Sequence, residues 1–196
     1  MTSTVVYLAI LAVAAFYGVN VYNALVSLRN QYSNAFAQID VQLQRRYELI
    51  PNLVEAAKAY LSHEKDTLSA VIAARNQAAG LEKALAGNAG NADAMAKFAQ
   101  AEGVLNGALG RLLAVSESYP DLKADATIAD LMEELKSTEN RVGFARQAFN
   151  DAVMAYNIRR EQFPDNVVAG LCAFHRASLL EIPNVEAREP VRIRMT

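Results

Sequence analysis

Apolar positions recur at helical spacing along almost the whole of this 196-residue chain. From about residue 127 to 162, Ile128, Leu131, Leu135, Thr138, Val142, Ala145, Phe149, Ala152 and Tyr156 alternate steps of three and four. That heptad seam predicts shallow, left-handed helix packing. The stretch from about 92 to 118 repeats it through Met95, Phe98, Glu102, Leu105, Leu109, Leu112, Ser116 and Tyr119. Leu25, Leu28, Tyr32, Phe36, Ile39, Leu43 and Tyr47 instead follow an eleven-residue period, the mark of a nearly straight rod.

Turn formers divide these stripes. The cluster Gly87-Asn88-Ala89-Gly90-Asn91 separates two helices, with Asn91 or Asp93 able to cap the second. Tyr119 to Asp125 makes the next connection, after which Thr127 and Asp130 resemble a capping box. Pro51 fits the first position of a helix that follows a hairpin at 48–50, the reading taken here. The alternative is a single kinked helix, because Ile50, Val54, Ala57 and Leu61 continue the apolar series across the proline. Four helices are therefore expected at about 5–48, 51–86, 92–118 and 127–162. Similar lengths and short links predict an all-α fold: an N-terminal transmembrane helix followed by an antiparallel bundle of four long helices.

The opening of the chain sets the membrane expectation. No charged side chain precedes Arg29, and Val5 to Val26 matches the roughly 17–25 mostly apolar residues of a span. A cleaved signal and a buried core helix are the rival readings. The first lacks a basic n-region, and the second would need a partner for every face. The expected organisation is a short extracytoplasmic tail at 1–4, an anchor at 5–26, a bundle at 27–182 and an extended tail at 183–196. Arg29, Arg45 and Arg46 follow the apolar run and none precedes it. That asymmetry predicts a single-pass protein of the cytoplasmic (inner) membrane, N-terminus outside and bundle in the cytoplasm.

Composition narrows the chemistry. The chain is 53% hydrophobic and 20% charged, without tryptophan, and its net charge of −2 argues against nucleic acid as a partner. One cysteine, Cys172, permits no internal disulfide. His63 and His175 are the only histidines, and neither completes a Glu-x-x-His or His-Glu-x-x-His motif. Cys172-Ala-Phe-His175 has metal-like spacing without a companion pair. Phosphate-binding glycine loops and a nucleophile elbow are absent from the sequence. The expectation is a protein that is not an enzyme and carries no cofactor or metal.

Two groups of residues stand out. Gln38, Asp40, Gln42, Arg45, Arg46, Asn52, Glu55, His63, Glu64 and Arg75 form a dense polar set and a candidate partner-recognition surface. Gly103, Gly107 and Gly110 make one stripe, where each glycine costs about 1 kcal/mol against alanine in a helix. Close packing of a neighbouring helix in the bundle is the expected compensation, with self-association as the alternative. Glu102, on the seam of the same helix, is expected at its edge with the carboxylate reaching water, rather than buried against a partner.

Several runs resemble the LemA family. They are Tyr22-Asn-Ala-Leu-Val-Ser-Leu-Arg-Asn30, Ala35-Phe-Ala-Gln-Ile-Asp-Val-Gln-Leu43, Arg45-Arg-Tyr-Glu-Leu-Ile-Pro-Asn-Leu-Val-Glu55, and His63-Glu64 with Ala74-Arg-Asn76. Phe163-Pro-Asp-Asn166 with Ala169, and Glu186-Ala-Arg188, resemble its closing motif. Leu180-Glu181 stands where the family usually has an aromatic-Glu pair, which bears on local packing. The resemblance implies a bacterial protein with one N-terminal span and a cytoplasmic bundle, of a family without an established enzymatic activity and with one branch in magnetosome formation. The resulting expectation is a non-catalytic adaptor or scaffold. Its partners would be the lipid bilayer and membrane or envelope proteins, with homo-oligomers as a further partner. The alternatives are a metal-dependent or hydrolytic enzyme using His63 and nearby carboxylates, and a self-associating membrane-shaping protein.

Overall fold

The computed structural model describes residues 2–85 and 89–182, so the tail expected at 183–196, with Glu186-Ala-Arg188, lies outside the described residues, as does Gly87. The described residues form six helices: α1 (Thr2–Ala57), α2 (Lys65–Leu85), α3 (Ala92–Ser116), α4 (Pro120–Ala124), α5 (Ala126–Glu161) and α6 (Asp165–Leu171). Four long helices make the bundle, and no strand occurs among the described residues.

The first helix continues without a break through Pro51, which corrects the hairpin expected at 48–50. Packing explains the outcome. Leu49, Ile50, Leu53 and Val54 flank the proline and are all buried. Burying each such side chain is worth about 1.5–3 kcal/mol, so together they outweigh the roughly 3 kcal/mol of a proline inside a helix. The reversal falls instead at residues 58–64, where Tyr60 and Leu61 N–H both donate to the Ala57 carbonyl. Leu61 is fully buried in that turn, and the Tyr60 hydroxyl donates to Asp125 at the start of α5 (2.9 Å).

α1 and α5 form the antiparallel backbone of the bundle. Tyr32 and Phe36 of α1 pack edge-on against Phe149 of α5, and Tyr32 also meets Tyr156, with ring centroids 5.2–6.4 Å apart. α2 and α3 form a second antiparallel pair laid against the first. Their connection passes close over Tyr32: a Cβ on Gly90 would lie 3.2 Å from the Tyr32 hydroxyl. Asn91 caps α3 by accepting the Ala94 N–H (2.9 Å). At α5 the cap is Asp125, which accepts the Ile128 N–H (3.1 Å), rather than Thr127, and the helix accordingly starts one residue earlier than expected.

After α6 the chain turns back along α5 without regular structure. Asn157 holds Ala177 by both its N–H and its C=O (3.0 and 2.9 Å), and Asn150 does the same to Leu180 (2.9 and 3.2 Å). Leu180, the departure from the family's aromatic, is buried under that clasp.

The apolar beginning of α1 is different. Residues 2–20 are exposed apart from a half-buried Gly18, whereas Val21 and Leu25 are buried in the bundle. Bundle packing therefore overlaps the end of the segment expected as anchor, from Val21 to Val26.

Candidate functional site

The helical repeat sorts the polar set into two. Gln38, Arg45, Asn52 and Glu55 recur on the outward side of α1 and are exposed. Val41 (57% exposed), which polarity cannot flag, and Glu48, which was not singled out, belong to the same ridge. Asp40 and Gln42 flank it half-buried, and exposed His63 and half-buried Glu64 sit in the turn at its end. The ridge spans roughly 26 Å from Gln38 to Glu55 at 1.5 Å per residue. Arg45 is tied across it to Glu134 of α5 through its Nε (3.1 Å), and this ion pair raises its pKa further.

Arg46 leaves the surface, and Arg75 is half-buried. Arg46 is 0% exposed, which corrects its assignment to a recognition face. Its guanidinium donates to Glu102 of α3 and Glu139 of α5, with Asn106 Oδ1 at 3.3 Å. Glu102 is also 0% exposed, so the water-reaching edge position expected for it is overturned too. Its second oxygen accepts the Tyr47 hydroxyl at 2.6 Å. A buried carboxylate needs partners, and here α1 supplies both a cation and a phenol. Burial pushes the Arg46 pKa down, but the Glu102 and Glu139 carboxylates more than compensate, so the net shift is upward. Burial, reinforced by the Glu102 charge, raises the Tyr47 phenol well above its ordinary value.

Arg75 completes this polar core from α2. Pro51 has no N–H to give the carbonyl of Tyr47 four residues earlier. The Nε of Arg75 donates to that carbonyl at 2.9 Å, and the guanidinium lies 5.8 Å from the Tyr47 ring centroid. Side chains from all four long helices thus converge around Tyr47. The cluster cross-links the bundle, and its members are engaged with one another.

Sequence reasoning placed Glu102 on the seam but missed its partner. The signal was present: Ile39, Leu43, Arg46, Ile50, Leu53 and Ala57 are buried at heptad spacing. The eleven-residue stripe ending at Tyr47 hid it.

The glycine stripe turns outward. A Cβ at Gly107 or Gly110 would meet nothing within 4 Å, so close packing inside the bundle does not account for these two; Gly103 is half-buried on the same helix. Cys172 is exposed just past α6, and the His175 carbonyl accepts the Tyr156 hydroxyl (2.8 Å). Among the described residues, no three His, Cys, Asp or Glu side chains gather as a metal-binding group.

Comparison with known proteins decides the family, because the LemA family model matches residues 35–195. The chain belongs to the LemA family. The match covers most of the bundle and begins beyond the apolar start of α1. This LemA-family chain is 28% identical over 193 residues to Magnetosome protein MamQ 2 of Paramagnetospirillum magneticum, covering 89% of this chain and 70% of that one. Magnetosome protein MamQ 1 of the same organism matches to the same extent. Magnetosome protein MamQ of Magnetospirillum gryphiswaldense is 27% identical over 175 residues, covering 79% of this chain and 62% of the relative.

Proposed function

We propose that this LemA-family protein is a membrane-tethered, non-catalytic adaptor that presents the α1 ridge to a membrane or envelope protein. The observation that carries this reading is the continuity of α1. One helix contains both the unpacked apolar residues 2–20 and the bundle's longest buried stripe, with no break between them. Nineteen residues at 1.5 Å each give about 28 Å, close to the roughly 30 Å hydrocarbon thickness of a bilayer. A bundle joined to its span by an unbroken helix is held upright at a fixed height, and a binding ridge on it gains effective local concentration at the membrane.

Arg29 follows the span, and the fold adds Arg159 and Arg160 on the last turn of α5 beside α6. This favours a single-pass topology in the cytoplasmic membrane with the N-terminus outside and the bundle in the cytoplasm. Reporter fusions after residue 182 test the orientation: a cytoplasmic reporter must be active, and an active external reporter overturns it. Photocrosslinkers at Arg45 and Asn52, with Lys136 on α5 as the off-ridge control, test the ridge. Capture of one membrane protein from the ridge alone is expected, whereas equal capture at Lys136 overturns the assignment.

The outward glycine stripe favours a second reading, self-association along α3, where Val104 and Leu113 are also exposed. Gly107→Leu separates the two. It fills open space and improves helix propensity by about 0.5–1 kcal/mol, so the fold is expected to gain stability. Loss of crosslinked oligomers in that stabilised variant would support the second reading, and unchanged oligomers would exclude it.

A further inference from the structure

We infer that α6 is a second membrane contact, a short foot whose apolar side enters the bilayer beside the span. The inference rests on the reading of α1 as a membrane-crossing helix. Val167 and Leu171 are spaced four apart on α6 and are 54% and 83% exposed, and Phe163, just before the helix, is 84% exposed. Large apolar side chains this open are the stripe of an amphipathic element without a protein partner.

Position supplies the occupant. α6 is fastened to the apolar part of α1: the Tyr17 hydroxyl donates to Asp165 (2.5 Å), and Asp165 also pairs with Arg159 of α5. Between the two helices lies an open apolar cleft of about 770 Å³. Val6, Ile10 and Val13 form its α1 wall, and Val167 and Val168 of α6, with Phe163 just before it, the opposite wall. For residues 2–20 to cross the hydrocarbon, the level of Val13 and Tyr17 must lie inside or at its edge. The α6 wall of the cleft then stands at that level too, and the hydrocarbon of the bilayer covers the stripe that the bundle leaves bare. The polar side of α6 fits this placement. Asp165, the carboxylate nearest the span, is buried and neutralised by Arg159, so no unpaired charge accompanies the foot into the interface. Phe174, just beyond α6, sits between Tyr22 and the Arg29 guanidinium, with ring centroids 5.4 Å apart and Arg29 Cζ 5.6 Å from the ring. This aromatic and cationic belt is what a membrane–water boundary attracts.

The test uses the full chain in lipid nanodiscs, with Cys172→Ser removing the exposed native thiol. Single spin labels are placed at Val167→Cys, at Leu11→Cys in the expected span, and at Lys136→Cys on the bundle. All three positions are exposed, so the labels do not disturb the core. Collision with lipid-soluble oxygen and with a water-soluble nickel chelate is then compared. The inference expects the Val167 label to rank with Leu11, oxygen-accessible and shielded from nickel, and the Lys136 label to show the reverse. An aqueous Val167 with a lipid-facing Leu11 overturns the foot and leaves the span standing. Aqueous readings at both positions overturn the span itself, and the foot with it.

Discussion

Pro51 removes one amide proton from the last two turns of a 56-residue helix, and Arg75 replaces it. The pairing makes a sharp prediction, because the two residues should be worth less apart than together. Arg75→Ala leaves the Tyr47 carbonyl without a donor, at a cost of about 1–3 kcal/mol. In a Pro51→Ala background the backbone N–H restored at position 51 serves that carbonyl, and the same Arg75→Ala change should cost at least about 1 kcal/mol less. Chemical unfolding of the four proteins measures the coupling, and a coupling of zero would dismiss the role given to Arg75. The Arg46–Glu102 pair behaves by a different rule. Glu102→Ala strands a buried guanidinium and should cost about 3–5 kcal/mol, while Arg46→Met combined with Glu102→Met should recover most of the loss. If the single variant unfolds at the native denaturant midpoint, the pair does not hold the helices as described. Much of this was legible residue by residue, since Glu102 lay on a seam and Arg46 on a heptad with Leu43 and Ile50. That they meet was not legible, because α1 and α3 are brought into register only through α2 and the two turns that flank it.

At the scale of elements, periodicity located α3 and α5 closely because each carries one continuous buried heptad seam. The end of α1 escaped it for a physical reason. No glycine or proline occurs from Asn52 to Ala79, and the reversal at 58–64 is made by burying Leu61 rather than by turn-forming residues. The returning segment after α6 was equally silent, because its structure lives in two amides on another helix. Asn150 and Asn157 stand one heptad apart on α5 and each offers a donor and an acceptor, as a neighbouring strand would. Asn157→Ala should strip both bonds from Ala177 and destabilise the protein by about 1–3 kcal/mol. Amide exchange gives the finer test: protection at Ala177 should fall while Leu180, held by Asn150, keeps most of its own. Unchanged protection at Ala177 would show that packing of the segment, not the amide clasp, secures it.

Across the whole molecule, burial of phenols makes the bundle sensitive to alkali. Burial raises the pKa values of Tyr32, Tyr47 and Tyr156 above the ordinary value of 10.0. Below pH 10 these groups hold their protons in both states and contribute no pH dependence. Above it the unfolded chain releases protons that the folded core retains, so the folded state binds more protons and stability falls as pH rises. At the other end of the scale, the Ile128 N–H and the Tyr60 hydroxyl lower the Asp125 pKa below its ordinary 3.8. That cap contributes in full above 3.8 and is lost as pH drops through its lowered value, so the stable range is bounded by different ends of the bundle. Asp125 fastens the distal end near Tyr60, whereas Tyr32 and Tyr156 lie towards the end that α6 closes. Tyr32→Phe removes one of the three phenols behind the alkaline limb while keeping the ring contacts with Phe149 and Tyr156. Urea unfolding followed by helical circular dichroism should show near-native stability for this variant at neutral pH and a shallower decline above pH 10. An unchanged alkaline slope would mean that Tyr32 ionises as freely in the bundle as in the unfolded chain, and that water reaches the space beneath Gly90.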